Sequence, residues 1–310
     1  MIRILFAALV LLVALPAHAN EKLTVLLDWF VNPDHAPLVV AKERGMFEVR
    51  GLDVTLVPPS DPSAPPRLVA AGQGDIAISY QPQLHIQVAE GLPVKRIGTI
   101  VETPLNSLVM LRDGPVKEIA DLKGKKVGFS VGGFEDAVLG AMLRTHGLDL
   151  KDVELININF ALSQSLITGS VDAVIGAFRN FELNQLDIEK RPGIAFYPEE
   201  HGVPVYDELI FIVKAGNETD TRMKPFMEAV EEATLWLTNH PDEALDIFLK
   251  AYPDLDNELN RRAWVDTLPR FAKRPRALDR ARYNRFADFM KDSGLIESVP
   301  PIGDYAVELD

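Results

Sequence analysis

The stretch Leu27-Asp28-Trp29-Phe30-Val31-Asn32-Pro33-Asp34-His35 places an indole, an amide, two carboxylates and an imidazole within nine residues. An apolar run, Leu23 to Leu27, precedes it and reads as a buried strand, and a helical pattern over Pro37 to Met46 follows. Such a strand-to-helix loop is where ligands sit in open α/β sheets. Trp29 offers a large flat face for stacking on a flat ligand. A core Trp beside a capped helix accounts for the same residue.

Two later segments repeat this logic. Asp75-Ile76-Ala77-Ile78-Ser79-Tyr80 is an apolar strand with Tyr80 at its carboxyl end. Val171 to Gly176 is another, and Phe178-Arg179-Asn180-Phe181-Glu182 follows its end. Gly132-Gly133, after a strand over Lys125 to Ser130, gives a turn where backbone amides can approach a ligand closely. Glu208 opens an apolar strand that runs to Lys214. Each residue also has a structural reading. Tyr80 ends a strand, Asn180 caps the helix that follows, and Glu182 sits in that helix's first turn. At least one of Phe178 and Phe181 belongs to the core, and Glu208 bonds hinge backbone. His35 is either a ligand contact or a hydrogen-bonded loop residue. Arg179 either holds an anion or is a solvated helix charge.

Other chemistries find little support. There is no cysteine, so disulfides, thiolate metal sites and cysteine nucleophiles are excluded. No His-x-x-x-His pair or dense carboxylate cluster suggests a metal, no Gly-x-Ser-x-Gly elbow or phosphate loop is present, and no cofactor is expected. A net charge of −13 argues against nucleic acid and anionic membrane surfaces as partners. Residues 1–19 read as a cleaved signal peptide: Arg3, an apolar run from Ile4 to Leu15, then Ala17-His18-Ala19 before Asn20. A soluble, acidic, cysteine-free exported chain fits the periplasm.

The elements that must hold these residues alternate. Strands at Val54–Val57, Asp75–Tyr80 and Val94–Val101 are separated by helices from Pro66 and over Gln81 to Gly91, the pattern of βαβ units and a parallel sheet. The pattern restarts with a strand at Asn106–Leu111, the strand at Lys125, a helix to about His146 and a short helix over Ser163 to Gly169. The strand from Glu208 to Lys214 looks like a partner of Ser107 to Arg112, so a second α/β unit is inserted between two hinge strands. The expected fold is α/β, with two Rossmann-like lobes joined by two hinge strands: 20–106 plus 208–310 form lobe 1 and 107–207 form lobe 2. From Arg222 to Leu295 the chain is expected to be almost wholly helical, with Phe226, Val230, Ala233 and Leu237 spaced for one buried face.

These residues resemble the NMT1/THI5-like type II periplasmic solute-binding proteins of ABC importers. The resemblance spans nearly the whole chain after residue 19. It rests on Leu27-Asp28-Trp29 with Asn32-Pro33 and His35, on Gly74-Asp75-Ile76-Ala77-Ile78, and on Asp121-Leu122-Lys123-Gly124-Lys125-Lys126-Val127-Gly128. Gly133-Phe134-Glu135, Asn180-Phe181-Glu182 and Gly202-Val203-Pro204 with Tyr206 and Glu208 are similar to the members that bind pyrimidine precursors of thiamin. That resemblance implies a formylaminopyrimidine-like ligand, an inner-membrane permease as partner, a monomer, and no enzymatic activity. It assigns ligand contacts to Trp29, Asn32, Tyr80, Asn180 and Glu182 first, and to His35, Phe178 and Glu208 second; Gly133 joins them through the close backbone approach that its turn allows. The family also holds a pyrimidine synthase that uses pyridoxal phosphate. His35 falls at its histidine, but Ser79 or its neighbour replaces its lysine, and without lysine there is no Schiff base. Riboflavin and sulfonates are the alternatives among binders; sulfonate would require an arginine or a bare helix N-terminus in the cleft.

Overall fold

The computed structural model describes residues 20–309, so the expected signal segment lies outside the described residues. Among the described residues, ten strands form two five-stranded sheets. In the first, β1 (Glu21–Leu26), β2 (Leu52–Val57) and β3 (Ile76–Ser79) run parallel, with β1 between the other two. β4 (Val94–Val101) lies at the far edge. Three helices link these strands: α1 (Ala36–Glu43), α2 (Pro65–Ala70) and α3 (Gln81–Ala89).

The second sheet has the order β7-β6-β8-β5-β9, built from β5 (Asn106–Leu111), β6 (Lys126–Phe129), β7 (Glu154–Asn157), β8 (Ala173–Phe178) and β9 (Gly193–Phe196). Its helices are α4 (Glu135–Arg144), α5 (Leu162–Ile167) and α6 (Glu182–Ile188). After it, β10 (Leu209–Lys214) returns to the first sheet and inserts between β3 and β4. The two lobes are therefore of α/β type.

Two expectations are corrected here. Neither sheet is purely parallel, because β10 is antiparallel to β3 and β4, and β5 is antiparallel to β8 and β9. Nor do β5 and β10 pair with each other; each enters the middle of a different sheet. Edge strands β7 and β9 escape sequence reading because they are four residues long and half exposed, so neither alternation nor a long apolar run marks them.

Both faces of the first sheet are covered, which is why its strands read as continuous apolar runs. Leu23, Val25, Ile76, Ile78, Phe211 and Val213 face one layer. Leu26, Ala77, Ile210 and Ile212 face the other, together with Tyr283 and Tyr305. The carboxyl-terminal region supplies α7 (Met223–Asn239), α8 (Pro241–Ala251), α9 (Glu258–Thr267), α10 (Arg280–Asp292) and a short α11 (Ile302–Tyr305). The α7 face of Phe226, Val230, Ala233 and Leu237 is fully buried, as its spacing requires. Helical structure breaks over 271–279, where Phe271 forms a bridge to Val101.

Candidate ligand-binding site

Between the lobes lies a narrow cavity whose atom-free space, its open mouth included, is about 380 Å³. Its walls come from the carboxyl ends of strands in both sheets. The first lobe contributes Asp28, Trp29, Asn32 and Asp34 beyond β1, and Tyr80 beyond β3. The second contributes Gly176 and Phe178 from β8, Phe181 and Glu182 at the start of α6, Glu135 at the start of α4, and Leu162. This is the position where an open α/β sheet leaves a crevice.

The loop after β1 is locked by its own side chains. Asn32 Oδ1 accepts the Asp34 amide at 2.8 Å, and His35 Nδ1 accepts the Asn32 amide at 3.3 Å. These bonds close a one-turn 3₁₀ helix, Pro33–His35, so α1 begins at Ala36. With Nδ1 accepting, His35 Nε2 carries the proton and donates to Asp28 Oδ1 at 3.0 Å. Tyr80 donates to the other oxygen, Asp28 Oδ2, at 3.0 Å. His35 itself is fully buried behind the wall and supports it through Asp28 and the Asn32 amide.

Two groups of aromatic rings bridge the lobes beside the cavity. Trp29 packs edge-on against Phe160, with ring centroids 4.6 Å apart. Tyr80 stacks on Phe134 at 5.0 Å and meets the edge of Phe178 at 6.5 Å. Phe30 contacts Phe181 at 6.0 Å.

The acids are unusual. Glu182 Oε2 accepts the Phe178 amide at 2.7 Å, and Glu135 Oε2 accepts the Ser130 amide at 2.6 Å. Burial nevertheless pushes both carboxyls up to about 8. Asp34 rises to about 6, again through burial, partly offset by neighbouring His35 and by donation from Asn180 and Thr267. No lysine or arginine is among the lining residues.

Trp29, Asn32, Tyr80, Phe178 and Glu182 therefore line one cavity. His35, Gly133, Asn180 and Glu208 do not. Asn180 stands beside it, donating through Nδ2 to Asp34 Oδ1 at 2.6 Å and to Thr267 Oγ1 at 2.7 Å, all three residues being buried. Glu208 Oε2 accepts the backbone amides of Leu105 and Asn106 at 2.6 and 3.0 Å, where the chain crosses between the lobes. Arg179 is neither an anion ligand nor a solvated charge. It pairs with Glu199 through two nitrogens, at 2.6 and 3.0 Å, and also donates to the carbonyls of Leu105 and Asn106.

Sequence reasoning puts Asp28 and Asp34 on the ligand loop without assigning either a contact, and it does not single out Glu135 or Gly176 as cavity residues. Glu135 resembles an ordinary first-turn helix acid. Gly176 resembles a strand residue, but it has φ +96°, and a Cβ there would lie 2.3 Å from Glu135 Oε1. A bare backbone at 176 is what lets the Glu135 carboxyl occupy the cavity wall. No helix among the described residues is long and apolar enough to cross a membrane.

Residues 32–244 match the family model described as NMT1/THI5 like. The chain belongs to this family. A Haemophilus influenzae protein named for thiamine biosynthesis is 53% identical, over 97% of this chain and 96% of that one. The formylaminopyrimidine-binding protein of Halalkalibacterium halodurans is 35% identical, over 74% of this chain and 71% of that one. A 4-amino-5-hydroxymethyl-2-methylpyrimidine phosphate synthase of Legionella pneumophila is 25% identical, over 82% and 81%. Among solved structures, the alkanesulfonate-binding protein of Xanthomonas axonopodis superposes with a TM-score of 0.72 at 16% identity, covering 93% of this chain and 99% of that one. The NMT1/THI5-like chain thus has a periplasmic-binding-protein fold.

Proposed function

We propose that this protein is the periplasmic binding component of an ABC importer for a thiamin pyrimidine precursor, N-formyl-4-amino-5-aminomethyl-2-methylpyrimidine or a close analogue. The observation that carries this reading is the inter-lobe cavity walled by Trp29, Tyr80 and Phe178 and edged by Glu182 and Asn32. A flat heterocycle gains stacking from the rings. Its exocyclic amine donates to Glu182, and the Asn32 amide, which both donates and accepts, fixes orientation. The formylaminopyrimidine-binding relative supports the same ligand class. Sulfonate fits poorly, because the lining carries acids and no basic side chain. The synthase reading also fits poorly, because no lysine lines the cavity.

Ligand delivery works by lobe closure, with the crossings near Asn106 and Glu208 as hinges and the boundaries of the two lobes at 106/107 and 207/208. The Asn180–Asp34–Thr267 cluster joins lobe 2 to lobe 1 and acts as a latch on the closed form. Asn180→Ala removes two buried hydrogen bonds, worth about 2–3 kcal/mol together. Affinity is therefore expected to fall about 30-fold or more, by much the same factor for every ligand analogue, since Asn180 itself does not line the cavity. Calorimetric titration with a set of analogues checks this. A loss confined to one analogue would make Asn180 a direct ligand contact instead.

The reading itself is tested by titrating the protein, after residue 19, with formylaminopyrimidine, hydroxymethylpyrimidine, thiamin, riboflavin and taurine while following Trp fluorescence. Tight binding of aminopyrimidines alone is expected. In Trp29→Ala, affinity should drop about 10- to 100-fold through lost stacking area, with the melting temperature little changed. A response to riboflavin or taurine in place of the pyrimidines would keep the fold and replace the ligand.

A further inference from the structure

Trp29 belongs to the first lobe, on the loop after β1, but its ring packs against the second. It rests on an apolar cluster that includes Val109, Leu162, Leu166 and Val174, all of them in the second lobe. Phe160, on the loop between β7 and α5, meets the indole edge-on with ring centroids 4.6 Å apart. Phe30 reaches across in the same way, its centroid 6.3 Å from Phe160 and 6.0 Å from Phe181. Phe30 stays 41% exposed while Trp29 lines the cavity, so this group of rings runs from the cavity out to solvent.

Phe160 is held for this contact by the turn before it. Asn159 has φ +52°, in the left-handed region that Asn tolerates, and its amide donates to Asn157 Oδ1 at 2.9 Å. Ser130 donates its hydroxyl to the Asn159 carbonyl and its backbone amide to Glu135 Oε2. One buried serine thus ties the Phe160 loop to an acid of the cavity wall.

We propose that Phe160 is a positioning residue, which seats the Trp29 ring of the opposite lobe against a bound ligand and so sets how long the ligand stays. The inference rests on the reading above, a binder that works by lobe closure, and adds a residue to it. Trp29 lines the cavity and Phe160 does not, so Phe160 acts through the indole. The two rings come from different lobes, and their contact exists only while the lobes are together. A ligand entering between parted lobes never meets the pair. A ligand leaving must wait until the pair has come apart, together with the apolar contacts of Trp29 on the second lobe. An edge-on aromatic pair is worth more than the area it buries. Its loss therefore falls on the dissociation rate and leaves the association rate nearly untouched.

The test is rapid filtration with the chain after residue 19 and radiolabelled formylaminopyrimidine, riboflavin or taurine, dissociation being started by an excess of the unlabelled compound. Phe160→Ala should speed dissociation about tenfold or more and change association by less than about threefold. Phe160→Tyr keeps the ring and should restore the parent rate. In a Trp29→Ala background, Phe160→Ala should add nothing further, because the partner it acts through is gone. Where Phe160→Ala fails to fold, Phe160→Leu keeps the bulk without the ring and is read in its place, with dissociation about threefold or more faster. Effects of Trp29→Ala and Phe160→Ala that multiply, or a change in association alone, overturn the proposal and leave the ligand reading intact. Binding of riboflavin or taurine in place of the pyrimidine overturns the ligand reading instead, and the same rates measured with that compound decide the role of Phe160. Failure of all three to bind overturns both.

Discussion

Replacing Glu182 by Gln is expected to weaken aminopyrimidine binding about 100-fold or more while making the empty protein more stable at neutral pH. The two effects have one cause. Glu182 is buried, and its carboxyl holds a proton up to about 8, against an ordinary value of 4.5. The folded chain thus binds a proton that the unfolded chain gives up. Stability from this group is complete below about pH 4.5 and is lost as pH climbs through about 8. The amide side chain carries no such penalty, and its oxygen can still accept the Phe178 amide. At about pH 7.5 the variant should be more stable by about 1–3 kcal/mol, a rise of several degrees in melting temperature. Melting curves across pH, with and without ligand, check both halves. Unchanged affinity would remove Glu182 from the site, and a pH profile identical to that of the parent chain would remove it as the titrating group.

Gly176→Ala should be the most damaging single methyl group near the cavity. At φ +96° a side chain is strained, and the added carbon would sit 2.3 Å from Glu135 Oε1 and 2.5 Å from its carboxyl carbon. Backbone strain of about 1–2 kcal/mol and overpacking of about 1–3 kcal/mol both apply. A loss of about 2–4 kcal/mol is expected, with ligand affinity falling as Glu135 is pushed from its place. Gly133→Ala separates the two causes. Gly133 has φ +84°, but a Cβ added there would meet nothing within 4 Å, so only strain of about 1 kcal/mol remains. Denaturant melts of both variants give the comparison, and equal losses would show that crowding at Glu135 contributes nothing.

Much of the arrangement was legible in the sequence because strand ends are marked by composition. Trp29, Tyr80 and Phe178 each stand at or just past the end of an apolar run, and all three line the cavity. What could not be read depends on three-dimensional approach. Nothing in a linear string distinguishes Glu135, buried against Gly176, from an acid that merely favours a helix N-terminus. The same holds for Asn180, which reads as a helix cap or a ligand contact and is instead bonded to Asp34 and Thr267, distant in sequence. The mixed direction of the sheets was hidden for a similar reason, since an apolar strand buried on both faces reads alike whichever way it runs.

The return of β10 to the first sheet also dictates an order of assembly. All strands of the second sheet lie within residues 106–196, so that sheet can form from one continuous stretch. The first sheet cannot. Until residues 209–214 have been made, β3 and β4 lack the strand that bonds them both, and each presents an open edge. Its completion waits on a pairing between residues more than a hundred positions apart, so closure of the first lobe is expected as a late step of folding, which a refolding time course followed by Trp fluorescence checks.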